Sequence, residues 1–335
     1  MVRIAVLGCG RIGRMHADNI AAHEETTLAM VYDLYGPSAQ DVSARHGVPV
    51  AESAEAVFAA SDVDAVLIAT ATETHAEYIE MAVAAKKPAI CEKPIDLSLD
   101  RVRQCARTIA GADVPIQLGF NRRFDPGHRR ARDVARSGRI GDVHQVIITS
   151  RDPGMPPRAY YESAGGLFRD MTIHDFDLAR FMLGAEPVEV FAVGNGLIDP
   201  AMMGELDDID TAMIIMRTAN GTQCHINNSR AAVYGYDQRV EILGTGGMVE
   251  SGNRRADDVR IYSATEAEIA APYEFFFIER YNAAFMNELT AFVAAIKNGT
   301  TPDASFDDGV KALVLAEAAY LSLSEGRMVR VDEVG

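Results

Sequence analysis

Only four cysteines occur in the 335 residues, Cys9, Cys91, Cys105 and Cys224, far apart and with no CxxC pair. A chain this long can bury a core without covalent staples, so the sequence predicts no disulfide framework and no zinc site. It predicts reduced thiols in a cytoplasmic protein. Long apolar runs are also missing. Stretches such as Val63–Ala71 fall far short of the ~20 residues that cross a bilayer. The N-terminus, MVRIAVLGCGRIG, passes from a short apolar run straight into glycines, without the apolar core of a secretory signal. Positive charge is scarce: 32 Lys and Arg stand against 48 Asp and Glu, a net charge of −16. Such a chain repels phosphate backbones, which argues against nucleic acid as a partner. No linker rich in Pro, Ser or charge interrupts it, and it has no internal repeat.

What is present is an ordinary globular balance, 48% hydrophobic and 24% charged, over a length that at roughly 150 residues per domain predicts two domains. Up to Phe120, short apolar runs (2–7, 27–32, 63–69, 88–91, 116–120) alternate with helical stretches (11–22 and near 38–46, 53–60, 73–86 and 98–110). Continuous apolar strands alternating with helices predict a parallel sheet covered on both faces, a doubly wound α/β domain over 1–120. Beyond Phe120 the rhythm changes. Helical stretches at 126–137 and 170–183 precede strand-like segments at 188–198, 209–217, 222–231, 236–243 and 258–263, and helices at 278–297 and 306–325 close the chain. The turn signals Asn220-Gly221 and Gly244–Gly247 suit hairpins, so 121–335 reads as an α+β domain on a large, open, mostly antiparallel sheet.

The run Gly8-Cys9-Gly10-Arg11-Ile12-Gly13 has GxGxxG spacing, a weak signal alone. Here it follows a predicted strand and opens a predicted helix, as a pyrophosphate site requires. Gly8 permits the tight turn, Gly10 lets a phosphate approach the backbone, and Gly13 lets the helix pack closely on the sheet. Arg11 and Ile12 then lie in a helical first turn whose N–H groups face the ligand. Asp33 closes the second strand, twenty residues past Gly13. A carboxylate there accepts both ribose hydroxyls of NAD and repels the extra phosphate of NADP, so NAD is the expected cofactor. Arg11 and Arg14 could each reach a phosphate, but solvated positions on the first helical turn explain them as well.

Two further groups carry chemistry. Glu92-Lys93-Pro94 ends a predicted strand, where ligands of open α/β sheets bind, and the proline stiffens the turn that aims Lys93. Asp170 and His174 stand four apart in a helical stretch after the glycine pair Gly165-Gly166, so they share a face. A carboxylate beside an imidazole orients it and favours its charged form, and an ordinary histidine titrates at about 6.5, where a general base is most useful. Capping by the Asp and packing of the His explain the pair just as well when it is taken alone. A metal is not expected, because no third ligand accompanies them.

These residues also carry a resemblance. Over nearly its whole length, from GCGRIGRMHA through ATATETHAEY and CEKPI to GGLFRDMTIHDFDLARF, the chain resembles the glucose–fructose oxidoreductase and inositol dehydrogenase family (Gfo/Idh/MocA). The family's EKP motif falls on Glu92-Lys93-Pro94 and its Dx3H motif on Asp170 and His174. The resemblance implies an N-terminal Rossmann domain and a C-terminal domain on an open sheet. It implies that Lys93, Asp170 and His174 are catalytic. It also implies that Glu92 and Lys93 lie near the cofactor, and that Thr70, Thr72 and His75 meet the nicotinamide ribose, although Thr72 or Thr74 could instead cap a helix. Within the family, GFNRRFD at 119–125 and the stretch 227–239 look like inositol 2-dehydrogenases. There they imply a polyol pocket lined by Lys93, Arg122, Asp152, Asp170, His174, Tyr234 and Tyr236. The expected activity is NAD-dependent oxidation of a ring hydroxyl of myo-inositol or a stereoisomer, with sheet-to-sheet packing into a homotetramer or homodimer. An aldose dehydrogenase of the same family and a catalytically silent NAD-sensing protein are the competing expectations.

Overall fold

The computed structural model describes residues 1–335. The chain divides into two compact units: Met1–Phe124 with Ala283–Leu313, and Asp125–Asn282 with Val314–Gly335. The break thus falls just past the glycine–phenylalanine pair at 119–120, and a segment near the C-terminus returns to the first unit.

The first unit is built on five parallel strands, β1 (Val2–Leu7), β2 (Thr26–Tyr32), β3 (Ala65–Ile68), β4 (Ala89–Cys91) and β5 (Ile116–Leu118), in the order β2-β1-β3-β4-β5. Strands buried on both faces need no alternation, which is why β3 and β4 read as unbroken apolar runs. On one face the helix Arg11–Ala22 sets Ala17 and Ile20 against Ile4, Val6 and Leu67. The later helix Asn282–Asn298 adds Leu289, Phe292 and Val293 to the same core. The strand order reverses between β1 and β3, and in open α/β sheets ligands bind outside the carboxyl ends of strands at such a point.

The second unit carries a seven-stranded sheet formed by β6 (Val143–Arg151), β7 (Pro187–Asn195), β8 (Thr211–Thr218), β9 (Gln223–Ser229), β10 (Asp237–Gly244), β11 (Gly247–Ser251) and β14 (Val329–Arg330). All pairs are antiparallel except β6 with β9, so the sheet is mixed but mostly antiparallel. The β8–β9 hairpin turns through Gly221 at φ 91°, and β10–β11 turns through the glycine pair before Met248. The segment expected as a strand at 258–263 forms instead a short two-stranded ribbon, β12 (Arg260–Ile261) with β13 (Ile269–Ala270), away from the sheet. Charged residues on both sides of it leave too little apolar surface to hold a sheet position. Along β8 buried and exposed residues alternate, and Met213 and Ile215 are on the open side.

Candidate active site

In the first unit the glycine run is a packed turn. Gly8 has φ 93°, and a Cβ on it would lie 2.3 Å from the carbonyl oxygen of Ala69. A Cβ on Gly13 would lie 1.8 Å from the carbonyl oxygen of Gly8. These two positions therefore admit no side chain. Gly10 precedes the helix Arg11–Ala22 and meets open space, so its backbone is the approachable part of the turn. Arg11 is exposed on the first helical turn, and Ile12 beside it is half-buried. Arg14 turns elsewhere: its Nε donates to the carbonyl of Cys9 at 3.1 Å and it pairs with Asp41 at 3.3 Å. The Cys9 thiol faces the carbonyl of Tyr32, and burial pushes it up to about 12, so it stays protonated.

Asp33 is fixed beside this turn. Its Oδ2 accepts the Cys9 N–H at 2.6 Å and its Oδ1 accepts the Tyr35 N–H at 2.7 Å. Each carboxylate oxygen can accept more than one hydrogen bond, so acceptor capacity remains for a diol. A strand-to-helix turn with an open approach at Gly10, beside a held carboxylate, fits the pyrophosphate and ribose of NAD.

Past β3, the hydroxyls of Thr70 and Thr74 lie 2.6 Å apart and Thr74 donates to the Ala71 carbonyl. Thr72 is half-buried in the short turn Thr72–Thr74, and neither Thr72 nor Thr74 caps a helix with its side chain. His75 is buried, with Nδ1 2.8 Å from the Pro94 carbonyl oxygen and Nε2 3.1 Å from that of Thr70. Burial lowers its basicity while the two carbonyl contacts oppose that shift, and through them the ring ties this loop to the Lys93 turn. The Lys93–Pro94 peptide is cis and Lys93 is half-buried. Glu92, next to it, puts Oε1 2.8 Å from His16 Nε2. Arg122 is buried in the turn Asn121–Phe124.

In the second unit, Asp170 stands in one wide helical turn, Phe168–Thr172, that leads into the helix Ile173–Leu183. Such turns insert a residue into the helical register and recur at functional sites. Asp170 Oδ1 accepts the Tyr160 hydroxyl at 2.7 Å, and Oδ2 accepts Arg230 Nη2 at 2.7 Å. Arg230 Nη1 reaches Asp152 Oδ2 at 3.2 Å, so one buried guanidinium joins two predicted site residues. The two carboxylates hold Arg230 charged against its burial, and burial and Asp170 together push the Tyr160 phenol upward, so it remains a donor. Behind them, buried Asp175 accepts Asn228 Nδ2 at 2.9 Å, and Asn228 Oδ1 accepts the Thr172 hydroxyl at 2.7 Å. This chain of bonds fixes the start of the helix that carries half-buried His174.

Tyr234 and Tyr236 have partners of their own. Tyr234 donates to Asp237 Oδ2 at 2.6 Å and accepts from Arg151 at 2.7 Å, in a partly exposed ionic group. Tyr236 is buried among Phe276 and Tyr281, with ring centroids 6.3 and 6.1 Å away. Arg230, Tyr160, Asn228, Asp175 and His16 are not in the set that sequence reasoning selected. Arg230 and Asn228 lie within the segment noted at 227–239, but no spacing rule links that segment to residue 170.

Comparison with known proteins gives the same outline. Residues 2–120 match the profile of an oxidoreductase family with an NAD-binding Rossmann fold, and residues 128–250 match the GFO/IDH/MocA C-terminal domain. An inositol 2-dehydrogenase of Rhizobium meliloti is 44% identical over 98% of this chain and 99% of its own length. A myo-inositol dehydrogenase structure from Corynebacterium glutamicum superposes with a TM-score of 0.95 at 41% identity, covering 98% of both chains. A scyllo-inositol dehydrogenase from Lactobacillus casei, solved with NAD(H) and scyllo-inositol bound, gives 0.90 at 30% identity, covering 99% of both chains.

Proposed function

We propose, from the premise that this chain belongs to the GFO/IDH/MocA oxidoreductase family, that it oxidises one ring hydroxyl of myo-inositol or a stereoisomer to the ketone with NAD⁺. The reading is carried by full-length likeness to inositol dehydrogenases, at 44% and 41% identity, in a chain that carries Lys93, Asp170 and His174. The unit holding the glycine turn binds the dinucleotide, with Gly8, Gly10, Arg11, Ile12 and Gly13 around the pyrophosphate and Asp33 on the ribose. Thr70, Thr72 and Glu92 are the remaining candidates on that side. The other unit supplies substrate recognition and assembly.

The bound nicotinamide supplies a hydride acceptor, and the rest of the chemistry belongs to the side chains. His174 takes the proton of the reacting hydroxyl while the carbinol C–H leaves as hydride, so ketone and one proton result. Lys93 donates a hydrogen bond to that oxygen and stabilises the negative charge that develops on it. Asp170, oriented by Tyr160 and Arg230, fixes the imidazole and accepts from a neighbouring ring hydroxyl. Asp152 and Arg122 are suited to further hydroxyls, and Tyr234 to the pocket's edge. The buried ring of Tyr236 supports packing better than contact with a ligand.

A homotetramer assembled through the open sheet face is part of the same reading, supported by exposed Val193, Met213, Ile215 and Leu243 on β7, β8 and β10. No helix is long and apolar enough to cross a membrane, and the four cysteines are unpaired, which supports a cytoplasmic location. The test is absorbance of reduced nicotinamide with myo-, scyllo- and chiro-inositol and with glucose, each with NAD⁺ and NADP⁺. Turnover of an inositol with NAD⁺ supports the reading. Turnover of glucose alone moves the activity to aldoses, and no turnover with any polyol removes it.

A further inference from the structure

The proposed chemistry makes no use of His16, yet its environment is specific. It lies three residues past Gly13 on the helix that opens at the glycine turn, with a side chain only 3% exposed. Its ring meets Phe285 edge-on at 5.6 Å, and its Nε2 is 2.8 Å from Glu92 Oε1. The Glu92 carboxylate is enclosed from the other side as well, because a Cβ on Gly119 would lie 2.7 Å from its Oε2. Glu92 immediately precedes Lys93, and its own N–H is bonded to the Ile68 carbonyl at 2.9 Å.

The sheet order makes this bond informative. The glycine turn follows β1 and the Lys93 turn follows β4, and β3 lies between those strands, so no ladder bond joins them. The His16–Glu92 contact spans that gap at the carboxyl ends of the strands. We propose that His16 is a positioning residue, whose bond to Glu92 ties the helix receiving the pyrophosphate to the turn that aims Lys93. The proposal rests on the reading above, in which Lys93 meets the reacting oxygen. Its catalytic consequence follows from geometry, since a misplacement of about 1 Å in a reacting group can cost roughly a hundredfold in rate.

The test uses the full-length enzyme with NAD⁺ and the inositol that the wild type oxidises. His16→Phe keeps a ring against Phe285 and removes the nitrogen, and His16→Gln restores an N–H donor. Turnover, KM, NAD⁺ affinity and Tm are measured for both, for Lys93→Ala, and for His16→Phe combined with Lys93→Ala. The expected result is a kcat loss of about tenfold or more in His16→Phe, within the range that misplacement allows. NAD⁺ affinity stays within about threefold, most of the rate returns in His16→Gln, and little further is lost in the double variant, as for residues acting as a unit. Wild-type turnover in His16→Phe, loss that His16→Gln does not recover, or full additivity with Lys93→Ala overturns the proposal. Where His16→Phe does not fold, Glu92→Met, which keeps the length of the side chain and removes the acceptor, decides: a lower kcat at saturating NAD⁺ supports the proposal, and an unchanged kcat overturns it. Normal turnover by Lys93→Ala is a different outcome, and it removes the reading on which the proposal rests.

Discussion

Arg230 Nη2 donates to Asp170 Oδ2 at 2.7 Å, with the two side chains 4% and 9% exposed. Sixty residues separate them, and Arg230 spends its other terminal nitrogen on Asp152. Removing one partner of such a buried pair leaves uncompensated charge, at a cost of about 3–5 kcal/mol. Arg230→Met is therefore expected to lower stability by that order in chemical denaturation and to lower kcat at least about tenfold through disordered Asp170. A variant with wild-type stability and turnover would show that the pair is incidental.

A second expectation concerns the cofactor. Asp33 is held by two backbone N–H groups at 2.6 and 2.7 Å, so it cannot swing away from a 2′-phosphate. NAD⁺ should be preferred to NADP⁺ by at least about tenfold in kcat/KM, roughly 1.4 kcal/mol. Asp33→Ser should erode that preference. Equal use of the two cofactors by the wild type contradicts it.

These two cases mark what was legible in the sequence. The Asp33 site is local: a strand, a turn and a helix in one βαβ unit, whose glycines have one steric explanation each. The parallel strands were legible because burial on both faces writes an unbroken apolar run. Asp170–Arg230 and Glu92–His16 were not, because each is a tertiary pair, 60 and 76 residues apart, between elements whose periodicity says nothing of their partners. The segment 258–263 reads in sequence as a sheet strand although Arg260–Ile261 pairs only with Ile269–Ala270, because a short β-branched run carries no record of how many neighbours it finds.

Assembly gives a third expectation. Met213 and Ile215 point outward from β8 at 56% and 48% exposure, beside Val193 on β7. An apolar sheet face of this kind marks an interface. Light scattering at micromolar concentration should give a tetramer, and Met213→Lys with Ile215→Lys should give smaller species with the fold intact by circular dichroism. A wild-type monomer contradicts the interface.

Glu288 gives a fourth, through linkage. It is fully buried, neither carboxyl oxygen has a hydrogen-bond partner, and burial, with help from Glu92, raises its pKa well above the ordinary value. The folded state therefore keeps a proton that the unfolded chain releases, so stability falls as pH rises above the ordinary glutamate value. Glu288→Gln removes that dependence. Its Tm advantage over wild type should grow between pH 5 and pH 8, by at least about 1.4 °C, the shift expected for roughly 1 kcal/mol in a chain of this size. A difference that stays constant across this range means that Glu288 is ionised in the fold.

The last expectation is chemical. Lys93 follows a strand of the dinucleotide unit, and His174 begins a helix of the other. Alcohol oxidation needs a proton acceptor and a stabiliser of negative charge at a single oxygen, and neither residue supplies both at neutral pH. Lys93→Ala and His174→Ala should each lower kcat about a hundredfold or more, the usual scale for losing a positioned acid–base group. NAD⁺ affinity should survive the His174 change almost unaltered, because the pyrophosphate and ribose contacts proposed for Gly8–Gly13 and Asp33 do not involve that unit. Titration calorimetry of the two variants with NAD⁺ separates lost binding from lost chemistry. Near-normal turnover in His174→Ala reassigns the proton, with a neutral Lys93 as the remaining acceptor, and the pH–rate profile of that variant would then move with the lysine instead of the imidazole.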